Sequence, residues 1–210
     1  PPGQFVIVFT TFTSQGQYIY VSRKGWYRLA DRPGVKAQPG TLPRGAAEGI
    51  WWLCSPVDGL WHPNPRAGLD DKGRLKMSRR SMESVQAYPW LVLECDHKER
   101  ACPCKVCAGR DNPRMTELWL NFLAQLALPI AAIYTSGGKS IHALVKVDAK
   151  SKEEWEGWKR LVKTLTVKMG ADPQAMSAVR LTRLPGCLRG NKMQKLLYLN
   201  PHPEIGRAHV

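Results

Sequence analysis

The segment LVLECD, residues 91–96, closes an apolar run with two acids, Glu94 and Asp96. Successive side chains on a strand alternate faces, so these carboxylates share one face about 7 Å apart while Cys95 takes the other. Like charges that close repel unless a cation lies between them, and oxygen donors suit a hard divalent ion. Alternating acids also occur on ordinary solvent faces. A second group is SGGKSIH, residues 136–142, where Ser136 opens a turn. Gly137 and Gly138 allow backbone amides to approach an anion, Lys139 adds a point charge and Ser140 a hydroxyl, which together can grip a phosphate. The turn lacks Walker-loop spacing and precedes a strand, so it also reads as a tight hairpin turn followed by a surface histidine, His142. Downstream, Asp172 offers a third carboxylate, or a simple turn before Pro173. Arg180 and Arg183 present planar forks suited to phosphate oxygens.

Three of the six cysteines crowd into HKERACPCKVC. His97, Cys102, Cys104 and Cys107 can close a tetrahedral structural zinc site, with Cys54 or His62 as alternatives to His97 for the fourth ligand. A redox pair, Cys104 with Cys107, is the competing reading. The crowding points to a metal rather than a disulfide framework, hence to a reducing, cytoplasmic compartment.

The elements that must position these residues follow from periodicity. Residues 4–12 and 17–21 predict a hairpin, and GIWWLCSPVDG a short aromatic strand in which Trp51 and Trp52 serve as core or as base-stacking surface. Pro and Gly density over 32–49 predicts an irregular connection, and residues 62–81 a basic loop, either template-binding or merely solvated. Met115–Leu128 has helical spacing and stops at Pro129. IAAIYT and SIHALVKV form a hairpin around residues 136–139, with Ile141, Ala143, Val145 and Val147 on one face and His142 on the other. A second helix opens at Ser151 with a Ser151/Glu154 capping box, and its apolar stripe runs through Trp155, Trp158, Val162, Leu165 and Met169 to a stop at Gly170. Lys195–Leu199 is the final strand. Thirty-one basic against seventeen acidic residues leave a net charge of +14, which favours a polyanionic partner. No apolar run reaches the roughly 18 residues of a spanning helix, so no membrane partner is expected. The chain opens on Pro1, which reads as a piece of a longer protein carrying a helicase or other further domain.

Taken in order, Glu94-x-Asp96, Ser140-x-His142 after its glycine turn, and the single acid Asp172 resemble the three motifs of the archaeo-eukaryotic primase superfamily, the primase-polymerases of plasmids, phages and other mobile elements. The cysteine cluster lies where many members carry a zinc-binding insertion. The resemblance covers about residues 90–190. It implies an α+β fold, with an RRM-like antiparallel catalytic sheet and flanking helices over 89–200, a zinc insertion at 97–110 and a smaller N-terminal αβ module over 1–88. It implies catalysis by Glu94, Asp96, Asp172 and His142. The three acids would hold Mg2+ or Mn2+, and His142, Arg180 and Arg183 would contact the phosphates of a nucleoside triphosphate. The expected activity is nucleotidyl transfer on single-stranded DNA. A zinc-stabilised DNA-binding module without catalysis and a metal-dependent nuclease are the alternatives.

Overall fold

A computed structural model describes residues 6–9, 18–21, 25–28, 38–39, 42–95 and 113–204. The first strands are β1 (Val6–Phe9), β2 (Tyr18–Val21), β3 (Gly25–Arg28), β4 (Gln38–Pro39), β5 (Gly45–Ala46) and β6 (Trp51–Leu53), then β7 (His62–Pro63) and β8 (Met77–Ser78). The second half contains β9 (Tyr88–Cys95), α1 (Pro113–Gln125), β10 (Ile130–Thr135), β11 (Ile141–Ala149) and α2 (Lys152–Thr166). The short strands β12 (Leu181–Arg183), β13 (Leu188–Arg189), β14 (Lys192–Met193) and β15 (Leu196–Leu199) complete the described chain. The fold is mixed α+β. Among the described residues before β9 there are strands and two 3-10 turns, and both α-helices come later, so the helix expected in an N-terminal αβ module is not found there.

Two sheets matter for the site. In the four-stranded sheet, ordered β15-β10-β11-β9, β11 runs antiparallel between β9 and β10, so the connection through α1 is a split β-α-β unit. The alternation read from sequence sets its faces. Leu91, Leu93 and Cys95 of β9 join Ile141, Ala143, Val145 and Val147 of β11 beneath the two helices. Trp119 and Leu123 of α1 and Trp155 and Val162 of α2 seal that core, each side chain contributing roughly 1.5–3 kcal/mol by burial. The opposite face, with Val92, Ala132, Tyr134 and Leu144, packs against Cys54 and Trp52 at β6.

β6 belongs to a six-stranded sheet ordered β12-β6-β1-β2-β3-β4. The expected hairpin is its β1–β2 pair. Its outer strand, β12, comes from the far end of the chain and pairs with β6 through Leu181–Leu53, Thr182–Trp52 and Arg183–Trp51.

The helix boundaries differ from the sequence reading in informative ways. Ser151 caps α2 by accepting from the Glu154 amide at 3.2 Å, but the Glu154 carboxylate takes the Lys150 amide instead of the Ser151 amide, so the box is displaced by one residue. Leu165 and Met169 are not core: they are 43% and 53% exposed, while Thr166 is fully buried. At 100° per residue Thr166 falls about 20° from the direction of Trp155 and Leu165 about 80° away. Thr166 satisfies its hydroxyl on the Val162 carbonyl at 2.7 Å, which makes a polar residue tolerable on the buried line. Among the described residues no helix is long and apolar enough to cross a membrane.

Candidate active site

The end of β9 opens into a cleft of about 680 Å³ between the two sheets. Glu94 faces it because β9 alternation puts Leu93 and Cys95 under the helices. Directly across the ladder stands His142, the register partner of Glu94, and beyond it Tyr134, the partner of His142. The His142 Nε2 lies 3.9 Å from Glu94 Oε1, and the His142 ring stacks on Tyr134 with centroids 5.5 Å apart and planes 4° from parallel.

The turn joining β10 to β11 forms one wall, with Ser136, Gly137, Gly138, Lys139 and Ser140 all lining the cleft. Ser136 donates its amide to the Ser140 carbonyl at 2.9 Å and accepts the Ser140 amide on its hydroxyl at 3.3 Å, closing the loop. The glycines have a role besides amide access. Gly137 sits at φ +68°, and a Cβ on Gly138 would stand 2.8 Å from Nη1 of Arg189. Bare backbone there lets the β13–β14 hairpin press its cations against the turn.

Arg180 precedes β12 and Arg183 ends it, and both line the cleft. Arg183 lies 3.8 Å over the Trp51 ring and donates to the Glu48 carbonyl at 2.6 Å. Burial first, and then the nearby Arg189 charge, lower its pKa to about 10, which leaves it cationic at neutral pH. Arg80 is similarly lowered to about 10, by burial and then by Arg180. Among the described residues the cleft lining carries five cations, Lys139, Arg180, Arg183, Arg189 and Lys192, against one acid, Glu94. A polyphosphate satisfies that imbalance better than a neutral or cationic ligand would.

Asp172 lies beside this cleft and is not part of its lining. Its amide donates to the Glu94 carbonyl at 2.7 Å, next to an isolated bridge between Cys95 and Ala171, so the chain after α2 runs along the free edge of β9. The Asp172 carboxylate accepts the Gln174 amide at 2.8 Å, and its other oxygen is 4.0 Å from Arg180 Nη2. The same Arg180 nitrogen is 2.5 Å from Glu94 Oε2. One guanidinium therefore spans both acids.

Asp96 and the proposed zinc ligands His97, Cys102, Cys104 and Cys107 lie outside the described residues. Among the described residues no group of three or more His, Cys, Asp or Glu side chains is placed to hold a metal. The two alternatives for the fourth zinc ligand, Cys54 and His62, are among the described residues. Cys54 is 2% exposed, its thiol donates to the Arg180 carbonyl at 3.7 Å, and burial raises its pKa to about 11. His62 sets Nε2 on Asp58 at 2.7 Å and Nδ1 3.8 Å from Glu83.

Several cleft residues escaped the sequence reading: Arg189, Asn191 and Lys192, together with Tyr134 and Thr182 behind His142. The run Arg189-Gly190-Asn191-Lys192 carries a Gly-Asn turn between two cations, which is a hairpin signal. No protein-family model matches the chain, nor does any curated protein or any solved structure, so the functional reading stands on residues and geometry.

Proposed function

We propose that this chain is a metal-dependent primase-polymerase of the archaeo-eukaryotic primase superfamily, which joins nucleotides on a single-stranded DNA template. The observation that carries the reading is the cleft: a strand-end acid, a glycine-rich turn and five cations converge on one space of triphosphate size. The succession β9-α1-β10-β11-α2 matches the first five elements of the β-α-β-β-α-β split folds, which supports the reading, although β12, β13 and β14 intervene before β15 and the sheet order β15-β10-β11-β9 sets that last strand at the edge opposite β9, where an RRM-like sheet has it beside its first strand. β15 pairs with β10, and on the side of β9 away from β11 the described chain supplies the Cys95–Ala171 bridge and the Asp172 amide bonded to the Glu94 carbonyl.

The donor chemistry suits divalent ions, since Glu94 and Asp172 are hard oxygen donors already spanned by one positive group. Glu94, Asp96 and Asp172 would hold Mg2+ or Mn2+, which would neutralise charge on the attacking and leaving oxygens. The chain's own residues bind and orient. Lys139, Arg180, Arg183, Arg189 and Lys192 hold phosphate oxygens, while His142 contributes a ring nitrogen beside Glu94. In the reaction a 3′-hydroxyl oxygen bonds to the α-phosphorus, the bond to the pyrophosphate oxygen breaks, and the hydroxyl proton leaves to solvent. A structural zinc on His97, Cys102, Cys104 and Cys107 completes the proposal.

The test is incubation with unprimed and primed single-stranded DNA, labelled ribo- or deoxyribonucleoside triphosphates and either metal, with products sized on a gel. Extended products are expected, and the Glu94→Ala/Asp96→Ala double variant is expected to give none while keeping its circular dichroism. DNA binding without incorporation under any condition would replace the proposal with a non-catalytic module. Degradation of labelled DNA without triphosphate would replace it with a nuclease.

A further inference from the structure

Behind the cleft, three side chains from three strands form a closed chain of contacts. Tyr134 OH is 2.7 Å from Thr182 Oγ1, and Thr182 Oγ1 is 3.2 Å from Nδ1 of His142. Tyr134 and Thr182 are both fully buried, and His142 is 3% exposed. Each hydroxyl has one proton to place, and burial makes a misplaced one costly. The Tyr134 proton has one destination. Among the described residues the phenol has a single hydrogen-bond partner, Thr182 Oγ1. Tyr134 therefore donates to Thr182, and Thr182, its oxygen engaged, passes its own proton to Nδ1 of His142. A neutral imidazole that accepts at Nδ1 carries its proton on Nε2. The other end of the ring agrees: Nε2 faces Glu94 Oε1 at 3.9 Å, where an N–H is attracted to the carboxylate and a lone pair is repelled.

We infer that Tyr134 and Thr182 are positioning residues that fix His142 as the Nε2–H tautomer, so that it offers a hydrogen-bond donor to an anionic oxygen in the cleft. The inference rests on the triphosphate reading only for the identity of that oxygen. The stacked Tyr134 ring holds the plane of the imidazole, and the Thr182 hydroxyl selects which nitrogen is dressed. Thr182 belongs to β12, so pairing of β12 with β6 is what brings the selector to the histidine.

The tautomer can be read directly. Protein labelled with 15N-histidine, at a pH above the imidazole range, gives two-bond nitrogen–proton spectra that separate Nε2–H from Nδ1–H, and His142→Gln assigns the signal among the five histidines. The wild-type protein should show the Nε2–H form alone. Thr182→Val should yield a mixture of tautomers and weaken binding of a non-hydrolysable nucleoside triphosphate about tenfold, whereas Thr182→Ser should restore both to within about twofold. An Nδ1–H form or a doubly protonated ring in the wild type overturns the inference, even if Thr182→Val fails to fold. A wild-type Nε2–H spectrum with no triphosphate binding would overturn the proposed substrate and leave the tautomer assignment standing.

Discussion

Replacing Gln194 by Leu should weaken the protein by about 3 kcal/mol, far more than a surface glutamine would. Gln194 is fully buried where β6, β12 and β14 meet. Its Nε2 donates to the Ile50 carbonyl at 3.0 Å and the Leu184 carbonyl at 2.5 Å, and its Oε1 accepts the Ile50 amide at 3.2 Å. Leucine fills nearly the same volume but makes none of these bonds. The Ile50 carbonyl keeps a partner in the Leu184 amide at 3.0 Å, so two groups are orphaned: the Ile50 N–H and the Leu184 C=O. Each costs about 1–3 kcal/mol, and the added apolar burial returns about 1 kcal/mol. A net loss of about 3 kcal/mol corresponds to roughly 6–12 °C in melting temperature for a chain of this size. Urea denaturation followed by circular dichroism measures it. Gly49→Ala should act on the same joint, since its Cβ would stand 2.4 Å from Gln194 Oε1 at a φ of +96°, and the double variant should lose less than the sum of the two. A loss below about 1 kcal/mol for Gln194→Leu, or strict additivity with Gly49→Ala, would refute the bridging role.

Three other outcomes are expected. Arg189→Ala should raise the nucleotide Michaelis constant about tenfold by removing a charged grip on phosphate, and an unchanged constant would take Arg189 out of the site. Cys54 has a folded pKa of about 11 against an ordinary 9.0, so the fold favours the thiol. That contribution, about 2–3 kcal/mol, is complete below pH of about 9 and lost as pH rises through about 11. Cys54→Ala should flatten that part of the stability profile, and equal slopes in both proteins would count against it. Leu165→Gln should change stability by no more than about 0.5 kcal/mol, while Val162→Ala, fully buried one turn earlier, should cost about 2 kcal/mol. Similar losses for both would mean that Leu165 packs.

What could be read from sequence is what local alternation controls. The β10–β11 hairpin, the face of His142 opposite Ile141 and Ala143, and the split between Glu94 and Cys95 all follow from period-two placement of apolar residues. Grouping Glu94, His142, Arg180 and the glycine turn came from the resemblance of their order along the chain to the primase motifs, and the cleft lining contains all four. Alternation is silent where a strand is two residues long, which hid β13 and β14 and with them Arg189 and Lys192. It is equally silent about partners distant in the chain. Nothing near Thr182 announces that it will meet His142, because that contact depends on β12 crossing to β6. On α2 the helical stripe was drawn through Leu165, since hydropathy alone ranks leucine above the threonine that geometry buries.

The joining of β12 to β6 also bears on the order in which the molecule is assembled. The split β-α-β unit of β9, α1, β10 and β11, with α2 after it, is drawn from one stretch, residues 88–166, and can close through shorter excursions of the chain than the contacts that complete the cleft. Cys54 meets the Arg180 carbonyl across 126 positions, and Ile50 meets Gln194 across 144. Contacts of such range impose a loop-closure cost before they return anything, which slows their formation relative to local pairs. During synthesis β6 would wait as an open sheet edge, its tryptophans uncovered, until the final quarter of the described chain emerges to complete it. Among the described elements the cleft would thus be the last to be completed, and a chain cut short before β12 would retain its acid strand without the Arg180 and Arg183 side chains that line the cleft with it.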